Sequence, residues 1–342
     1  MGMMIVSGYR VDVEEASRWI KANGIRRALL QAPPGLREPA IRLAEELSGH
    51  LECVFFDCGG CWGGCDLAVH RAKAVGADGI IHLGHAPFLE RAPIPTLYLE
   101  CRRADPRPLL EMLDSLEEGI RDLGSLGLGM TVQWLDYVEA VREKLARHGL
   151  KIHVGDPSPP LRYAGQVLGC CYDPLLRLSD AVNGYLIVGS RFHGLGLALQ
   201  THKPVYSLDP ELRRIYDSSS EAGRLLKSRY AYIERFRAAG RIGVILSIKP
   251  GQYRLGLARR LVSLLRSRGK HAEVLVMDDV SLDRLRDSGF RGFVNTACPR
   301  LSIEDQMGFE DPILLPAEAL VAIGEMRWKE VVRTSRYFSM EA

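Results

Sequence analysis

One order of segments occurs three times along the chain, and this repetition limits the possible fold more than any other feature. Each copy contains four short apolar strands, with a long amphipathic helix after the first strand. The copies begin with the segments RRALLQAPPGL, GLGMTVQWL and RIGVILSIKPGQ. Strands that alternate with helices are typical of parallel sheets covered on both faces. The repetition therefore predicts an α/β protein of three homologous domains, each a short four-stranded parallel sheet flanked by helices.

Two further residues recur at equivalent places, an aspartate at the end of the second strand and a proline at the entry to the fourth. They are Asp57 and Pro95 in the first unit, Asp156 and Pro204 in the second, and Asp278 and Pro312 in the third. A proline lacks the donor for a central ladder but is tolerated where a strand begins. We expect the aspartates to cap helices or stabilise turns. The constant order favours three units over the alternative of one large doubly wound sheet with coincidental similarities.

The length and composition of the chain agree with three units. The 342 residues are 46% hydrophobic, which is sufficient for two or three compact cores. We place the first unit at residues 1–105, the second at 106–213 and the third at 214–342. Two segments between the repeated strands, DPRPLLEMLDSLEEGIRDLG and PELRRIYDSSSEAGRLLKSRYAYIERFRAAG, are predicted to be helical connectors.

Charge and hydropathy exclude several classes of protein. The net charge is +3, from 45 basic and 42 acidic residues, and this balance gives no indication of direct nucleic-acid binding. No apolar stretch reaches the ~18 residues of a membrane span, and the first apolar run is too short for a signal peptide. We therefore expect a cytoplasmic protein that does not enter a membrane. Its eight cysteines are then expected to remain reduced, so metal binding and burial in the core are their competing uses.

The positions of the cysteines relative to the predicted strands separate functional thiols from core thiols. In parallel sheets, the loops beyond the carboxyl ends of the strands build the ligand site. Cys65 lies in such a loop of the first unit, Cys170 and Cys171 lie in the corresponding loop of the second, and Cys298 follows the third strand of the third. Each unit thus contributes at least one thiol from a loop at the end of a strand.

Two other cysteines have positions that indicate burial. Cys53 lies within a predicted strand and Cys101 lies at the end of one. We interpret both as core residues.

An arrangement of the three units around a pseudo-threefold axis would make the cysteine loops face one centre. Soft thiolate ligands select iron–sulfur clusters or zinc. A cubane cluster normally takes four thiolates, so three thiolates leave one iron open for a substrate. The repeat and the cysteines together predict a central cluster at which chemistry takes place.

Five motifs, found across all three units, resemble a known family. They are WGGCDLA, HLGHAPF, GQVLGC, IKPGQY and NTACPRLSIED. Over essentially its whole length the chain resembles the archaeal diphthamide-biosynthesis enzymes, the 2-(3-amino-3-carboxypropyl)histidine synthases. The resemblance implies a homodimer in which three similar domains each give one cysteine to a single [4Fe-4S] cluster. Carried over by motif, the ligands are Cys65, Cys170 and Cys298, with Cys171 as the alternative to its neighbour.

The resemblance also implies a reaction. Enzymes of this family transfer the 3-amino-3-carboxypropyl group of S-adenosylmethionine to a histidine of translation elongation factor 2, through a radical generated at the [4Fe-4S] cluster. The reaction is the first step of diphthamide biosynthesis and releases 5′-methylthioadenosine. The expected cofactors are therefore the cluster and S-adenosylmethionine as co-substrate, and the expected partners are elongation factor 2 and an electron donor.

Six residues in loops at strand ends are candidates for binding S-adenosylmethionine, because its carboxylate and amine need charged or polar partners. They are Lys249, Gln252, Arg162, Gln166, His193 and His85. Lys249 and Gln252 are favoured because the resemblance includes their segment. Alternatively, each of these residues could stabilise its loop through hydrogen bonds. His82 lies inside a predicted strand and is interpreted as structural.

The first cysteine loop, CGGCWGGC, leaves two alternatives open. One is a local cluster held by Cys58, Cys61 and Cys65, in the reverse of the C-x3-C-x2-C order of ordinary radical S-adenosylmethionine enzymes. The other is a zinc site formed by these three thiols and His70. Both alternatives leave the motifs of the other units unexplained. We therefore place Cys58 and Cys61 outside the cluster, without a role or on the path of the reductant.

Three other functions compete with the transferase. A quinolinate-synthase-like enzyme shares the three-unit architecture and a cluster with an open iron. A non-catalytic iron–sulfur protein that relays electrons to a partner is the second. A cluster-free nucleotide-binding protein is the third, supported by the glycines of GSRFHGLG, which are common at strand–helix turns.

Overall fold

The computed structural model describes residues 2–338 and contains three separate parallel sheets. The strands, in chain order, are β1 (Met3–Val6), β2 (Tyr9–Asp12), β3 (Arg27–Gln31), β4 (Cys53–Asp57), β5 (Gly79–Leu83), β6 (Thr96–Leu99), β7 (Ser125–Met130), β8 (Lys151–Val154), β9 (Gly184–Val188), β10 (Val205–Asp209), β11 (Arg214–Asp217), β12 (Arg241–Ser247), β13 (His271–Met277), β14 (Gly292–Asn295) and β15 (Ile313–Leu314).

Helices connect and cover these strands. They are α1 (Val13–Asn23), α2 (Arg37–Leu47), α3 (Val69–Ala74), α4 (Arg107–Asp114), α5 (Glu118–Arg121), α6 (Val138–Arg147), α7 (Asp173–Leu176), α8 (Arg191–Ala198), α9 (Ser218–Ala238), α10 (Leu255–Ser267), α11 (Leu282–Asp287), α12 (Pro299–Ile303), α13 (Pro316–Ala322) and α14 (Trp328–Val331). Single 3₁₀ turns are formed by Pro34–Leu36, Val132–Tyr137, Ser179–Ala181, Asp305–Gly308 and Ser335–Phe338.

The predicted strands of all three units are present and follow one spatial order. The order is β4-β3-β5-β6 in the first sheet, β8-β7-β9-β10 in the second and β13-β12-β14-β15 in the third. Every neighbouring pair within these sets of four is parallel. The long helix after the first strand is also present in each unit, as α2, α6 and α10. The predicted fold class, α/β with three short parallel sheets flanked by helices, is confirmed.

The three recurring prolines have the same role in each sheet. Each precedes the fourth strand directly, so its missing N–H removes no hydrogen bond from the ladder. Its carbonyl accepts a backbone N–H from the third strand: Ile80 to Pro95 at 2.9 Å, Tyr185 to Pro204 at 2.8 Å, and Phe293 to Pro312 at 2.8 Å. A shared backbone contact of this kind supports the interpretation of the units as copies of one fold.

Two β elements differ from the sequence prediction. The connector that begins at PELRR was expected to be helical, but its residues Arg214–Asp217 form β11, antiparallel to β10. The helical prediction is wrong here because the open edge of β10 offers backbone donors and acceptors that a helix would leave unpaired. The second sheet therefore extends beyond residue 213. The hairpin of β1 and β2 was not predicted; Ser7 and Gly8 form its two-residue turn, both with positive φ.

Each sheet carries an apolar core on both faces, which leaves the strand ends free to build a site. In β3 the side chains alternate, so Ala28 and Leu30 pack with Leu43 on one face while Leu29 packs with Ile80 on the other. The second and third sheets show the same division. Within residues 2–338 no helix has both the length and the apolar composition needed to cross a bilayer.

Candidate functional site

Three cysteines, one from each unit, line a single cavity. Cys65 follows β4, Cys170 follows β8 and Cys298 follows β14, so each lies beyond the carboxyl end of a strand. Burial raises the pKa of Cys298 to about 12, and the nearby Cys65 adds to the rise. Burial also raises the pKa of Cys170 well above its usual value, with contributions from Cys298 and Cys65. Cys65 therefore lies near both Cys170 and Cys298, and Cys298 lies near Cys170.

The structure distinguishes between the two adjacent cysteines of the second unit. The exposed surface of Cys170 faces the cavity that Cys65 and Cys298 also line. Cys171 turns away from this cavity, and its sulfur lies 3.7 Å from the Asp173 carboxylate. The geometry thus favours Cys170 as the second metal ligand.

The third unit fixes the position of Cys65. The backbone N–H of Gly251 donates to the Cys65 carbonyl at 2.9 Å, and the Gln252 side-chain amide donates to the Cys65 sulfur at 3.4 Å. A Cβ on Gly251 would lie 2.5 Å from both Cα and Cβ of Cys65, so this close approach requires glycine. The motif that contains Gly251 and Gln252 therefore holds a cysteine of another unit.

Lys249, in the same motif, forms a buried ion pair. Its Nζ lies 2.7 Å from Asp66 Oδ2 and 2.6 Å from Asp279 Oδ1. Asp66 is 1% exposed, and burial raises its pKa to about 6. Lys249 and Gln252 line a neighbouring cavity, which shares Trp62, Cys298 and Arg300 with the cysteine cavity. The Lys249 ammonium therefore compensates the buried Asp66 carboxylate and the more exposed Asp279 carboxylate, where the sequence suggested contact with a ligand.

A second ion pair joins the first unit to the third. Arg71 Nε lies 2.7 Å from Asp57 Oδ1, its Nη2 donates to Asp57 Oδ2 at 3.0 Å, and its Nη1 donates to Asp278 Oδ2 at 3.2 Å. Asp57 also accepts the backbone N–H of Gly59 at 3.1 Å, so it stabilises the turn that begins the Cys65 loop. Two of the recurring aspartates thus hold the two units together beside the site.

Gln166, His193 and His85 line the cysteine cavity, but Arg162 does not. The Arg162 guanidinium donates to the carbonyls of Pro87 and Leu89, both at 3.1 Å, and so ties the second unit to the first. The Gln166 oxygen accepts the backbone N–H groups of Arg162 and Tyr163, at 2.8 and 3.2 Å. The amide nitrogen is therefore the polar group that Gln166 has available for a ligand.

Both histidines of the cavity are neutral near pH 7. Burial lowers the pKa of His193 to about 4, helped by the nearby Arg300 cation, and burial alone lowers the pKa of His85 to about 4. The Ser190 hydroxyl lies 2.9 Å from His193 Nδ1 and orients that ring. The cavity therefore has no positive charge from its imidazoles.

Sequence reasoning missed Arg300, which lines both cavities. It lies two residues after Cys298 in the motif NTACPRLSIED, at the start of α12, and forms an ion pair with Glu304. Its place beside a cysteine of a recognised motif was the available signal. Thr131, Gln133 and Ser190 of the second unit also line the cavity and had no signal in the sequence.

The other thiols do not line this cavity. Cys58 lines a separate groove at the surface, and Cys101 is 3% exposed in the core. Cys53 begins the edge strand β4 and is half-buried, so it is only partly a core residue. Cys61 is buried. Within residues 2–338, the group of potential metal ligands that contains Cys61 includes neither Cys58 nor His70, so the zinc site considered from sequence is not formed.

The donor set of the central cavity suits one kind of metal group. Three soft sulfur donors without a carboxylate among them favour an iron–sulfur cluster or zinc over magnesium or calcium. Thiolates that hold a cubane cluster need not contact one another, so three cysteines from separate loops around one cavity would fit such a group. All eight cysteines are free, so none of the three thiols is lost to a disulfide.

Comparison with known proteins gives one consistent result. The family model described as "Putative diphthamide synthesis protein" matches residues 32–333. The 2-(3-amino-3-carboxypropyl)histidine synthase of Pyrococcus horikoshii is 34% identical over 325 residues, which are 92% of this chain and 91% of the relative. Subunit 1 of the human synthase is 27% identical, over 96% of this chain and 75% of the relative.

A solved structure is similar over nearly the whole fold. The crystal structure of Dph2 from Pyrococcus horikoshii with a 4Fe-4S cluster superimposes with a TM-score of 0.83 at 32% identity. The match covers 93% of this chain and 91% of that one.

Proposed function

This chain belongs to the diphthamide synthesis family, and we propose that it transfers the 3-amino-3-carboxypropyl group of S-adenosylmethionine to a histidine of translation elongation factor 2. The observation that carries the proposal is the meeting of Cys65, Cys170 and Cys298, from three distant parts of the chain, at one cavity. The names of the relatives support the transferase class. The transfer would be the first step of diphthamide biosynthesis and would release 5′-methylthioadenosine.

Cys65, Cys170 and Cys298 would hold a [4Fe-4S] cluster, and three sulfur donors fit such a group. When bound, the cluster supplies the single electron that cleaves the bond between the sulfonium and the γ-carbon of S-adenosylmethionine. Burial raises the pKa of the Cys65 thiol, and the hydrogen bond that Gln252 donates to its sulfur opposes this rise. Gly251 and Lys249 keep the Cys65 loop in place from the third unit.

The remaining residues of the cavity would bind and orient S-adenosylmethionine. The Arg300 guanidinium and the free amide nitrogen of Gln166 are the donors suited to its carboxylate. The neutral ring of His193 does not repel the positive sulfonium. Arg162 would act indirectly, since it fixes the segment that carries Gln166.

Apolar side chains form the rest of the wall and would exclude water from the reacting carbon. They are Trp62, Ala86, Phe88, Val132 and Phe192, among others. Aromatic rings at such positions also provide surfaces for stacking an adenine. The orientation of the substrate, rather than acid–base chemistry, is the main task of the protein in the cleavage step.

The wider assignments follow from the family and remain proposals. They are a homodimer, a cytoplasmic location, elongation factor 2 as protein substrate and an electron donor of unknown identity. The mildly basic chain has no feature that calls for direct contact with nucleic acid.

Anaerobic reconstitution with iron and sulfide tests the ligand set. Cys65→Ala, Cys170→Ala and Cys298→Ala should each lose most of the bound iron, whereas the matched neighbours Cys171→Ala and Cys58→Ala should retain it. If Cys61→Ala loses the iron while Cys298→Ala retains it, the cluster is held by the local loop instead.

Dithionite and S-adenosylmethionine, added to the cluster-loaded protein without oxygen, test the reaction. The expected product is 5′-methylthioadenosine, measured by chromatography, together with a mass increase of elongation factor 2 when this partner is present. An iron-loaded protein that forms no methylthioadenosine would instead be an electron-relay protein. Quinolinate from dihydroxyacetone phosphate and iminoaspartate would identify the quinolinate-synthase-like alternative.

A further inference from the structure

A second group of metal-binding side chains lies beside the cysteine cavity. It consists of the Cys61 sulfur, from the loop after β4, and ring nitrogens of His82 in β5 and His85 just after it. These ligand atoms all lie within 4.8 Å of one another. Cys61 is 2% exposed and His82 is fully buried, so solvent does not compete for most of this group.

Gln31 fixes the protonation of the His82 ring. Its amide nitrogen donates to the Asp66 carbonyl at 2.6 Å, and its amide oxygen accepts the backbone N–H of Ala68 at 3.1 Å. These two backbone groups determine which way the amide points. The Gln31 oxygen lies 2.9 Å from His82 Nδ1, so that nitrogen carries the proton and donates it. His82 Nε2 is left with a free lone pair.

The lone pair of His82 points to the second histidine. His82 Nε2 lies 2.9 Å from His85 Nδ1, so one proton is shared between the two rings. A histidine binds a metal through a ring nitrogen that carries a lone pair, and His82 Nε2 is such a nitrogen. A metal-ligating histidine almost always donates its other ring N–H to a fixed acceptor, which is the relation of His82 to Gln31.

We propose that Cys61, His82 and His85 bind a zinc ion, at a site separate from the three cysteines of the central cavity. Zinc binding releases the Cys61 thiol proton, and His85 moves its proton from Nδ1 to Nε2, so that His82 Nε2 and His85 Nδ1 both offer a lone pair and both rings stay neutral. One thiolate and two imidazoles are ligands that zinc prefers, and three protein ligands leave a fourth position open. His85 lines the cysteine cavity, which provides a path for the ion.

Charges around the group also favour a cation. The carboxylates of Asp66 and Asp57 are close enough to Cys61 to raise the pKa of its thiol. The Lys249 ammonium is already bound by Asp66 and Asp279. The zinc site considered from sequence used three thiols of the CGGCWGGC loop and His70. The proposed site uses one thiol of that loop, with His82 in β5 and His85 just after it.

Zinc counting on the cluster-loaded protein tests the proposal and does not depend on the transferase reaction. Protein with its iron in place is incubated anaerobically with a slight excess of zinc sulfate, desalted and analysed for both metals. We expect one zinc per chain with unchanged iron. Cys61→Ala and His82→Gln should lose the zinc, and the matched control Cys58→Ala, on the same loop, should keep it.

X-ray absorption at the zinc edge identifies the ligands in the unaltered protein, so the test holds even if a variant fails to fold. The expected shell contains one sulfur and two imidazole nitrogens. Two or more sulfurs would place the ion on the cluster cysteines and overturn the proposal. A protein that retains no zinc, or a Cys61→Ala variant that binds zinc as the unaltered chain does, would overturn it as well.

Discussion

Replacing Arg71 with methionine tests whether an ion pair between two units holds the Cys65 loop. Arg71, in α3, lies between Asp57 at the end of β4 and Asp278 after β13. The Asp57 side chain is 2% exposed, whereas the Asp278 side chain is 39% exposed. The substitution therefore leaves one carboxylate buried without its cation and leaves the other in contact with water.

The difference in exposure sets the expected magnitude. Removing one partner of a buried ion pair costs about 3–5 kcal/mol, because the remaining charge is uncompensated. An exposed pair contributes about 0–1 kcal/mol. Since Arg71 itself is 30% exposed, water screens part of the interaction. We expect the loss to be about 3 kcal/mol, nearly all of it from Asp57.

Hydrogen exchange followed by mass spectrometry measures this loss locally, which matters because three units need not unfold together. A loss of about 3 kcal/mol accelerates the exchange of protected amides in residues 58–78 by roughly a hundredfold, since 1.4 kcal/mol corresponds to a factor of ten. The iron bound per chain after reconstitution should fall as well, because Cys65 belongs to this segment.

Two further variants make the reasoning refutable. Asp57→Asn in the Arg71→Met background removes the uncompensated charge and keeps the oxygen that accepts the Gly59 N–H, so it should restore most of the protection. Arg26→Met breaks the pair with Glu52, whose partners are 72% and 54% exposed, and should change exchange by less than about tenfold. The reasoning fails if Arg71→Met behaves like Arg26→Met, or if the double variant exchanges as fast as the single one.

Two substitutions in the segment that holds Cys65 give further predictions. Gly251→Ala places a Cβ 2.5 Å from the Cα and Cβ of Cys65, so the cysteine must move. We expect less bound iron and a loss of about 1–3 kcal/mol in the free energy of unfolding. The control Gly256→Ala, in α10 with no atom within 4 Å of the new Cβ, should bind iron normally and gain up to about 1 kcal/mol. Gln252→Leu removes the hydrogen-bond donor to the Cys65 sulfur. The cluster should keep its iron but have a more negative reduction potential, because less negative charge on the sulfur is compensated. An anaerobic redox titration followed by electron paramagnetic resonance measures this potential. An unchanged potential would show that this hydrogen bond does not tune the cluster.

The architecture was largely predictable because it depends on local patterns. Apolar strands with the right length, the helix after each first strand and the prolines before the fourth strands all follow from interactions within about 30 residues. The strand β11 was the exception. Its residues look helical beside α9, and only the open edge of β10, formed by another part of the chain, makes the extended conformation more favourable.

The roles of the charged residues were the least predictable part of the site. Lys249 and Arg162 were expected to face a ligand. The carboxylates of Asp66 and Asp279 bind Lys249 instead, and backbone carbonyls bind Arg162. Arg300, which was not predicted, is the guanidinium that lines both cavities. Which partner a long charged side chain reaches depends on the packing of neighbouring units, and a sequence pattern carries no information about that distance.

The sequence by itself determined three α/β units and the presence of one loop cysteine at a strand end in each. The direction and order of strands in a parallel sheet place such loops at one edge, and this follows from hydrophobic periodicity alone. The tertiary structure decided that Cys170 rather than Cys171 faces the cavity, that Gly251 and Gln252 of the third unit hold Cys65, and that Cys61 lies with two histidines. The contacts of Gly251 and Gln252 with Cys65 join residues nearly two hundred positions apart, so their geometry is set only when the first and third units pack against each other. Cys61 and the two histidines meet within the first unit, through a tertiary contact that no sequence pattern specifies.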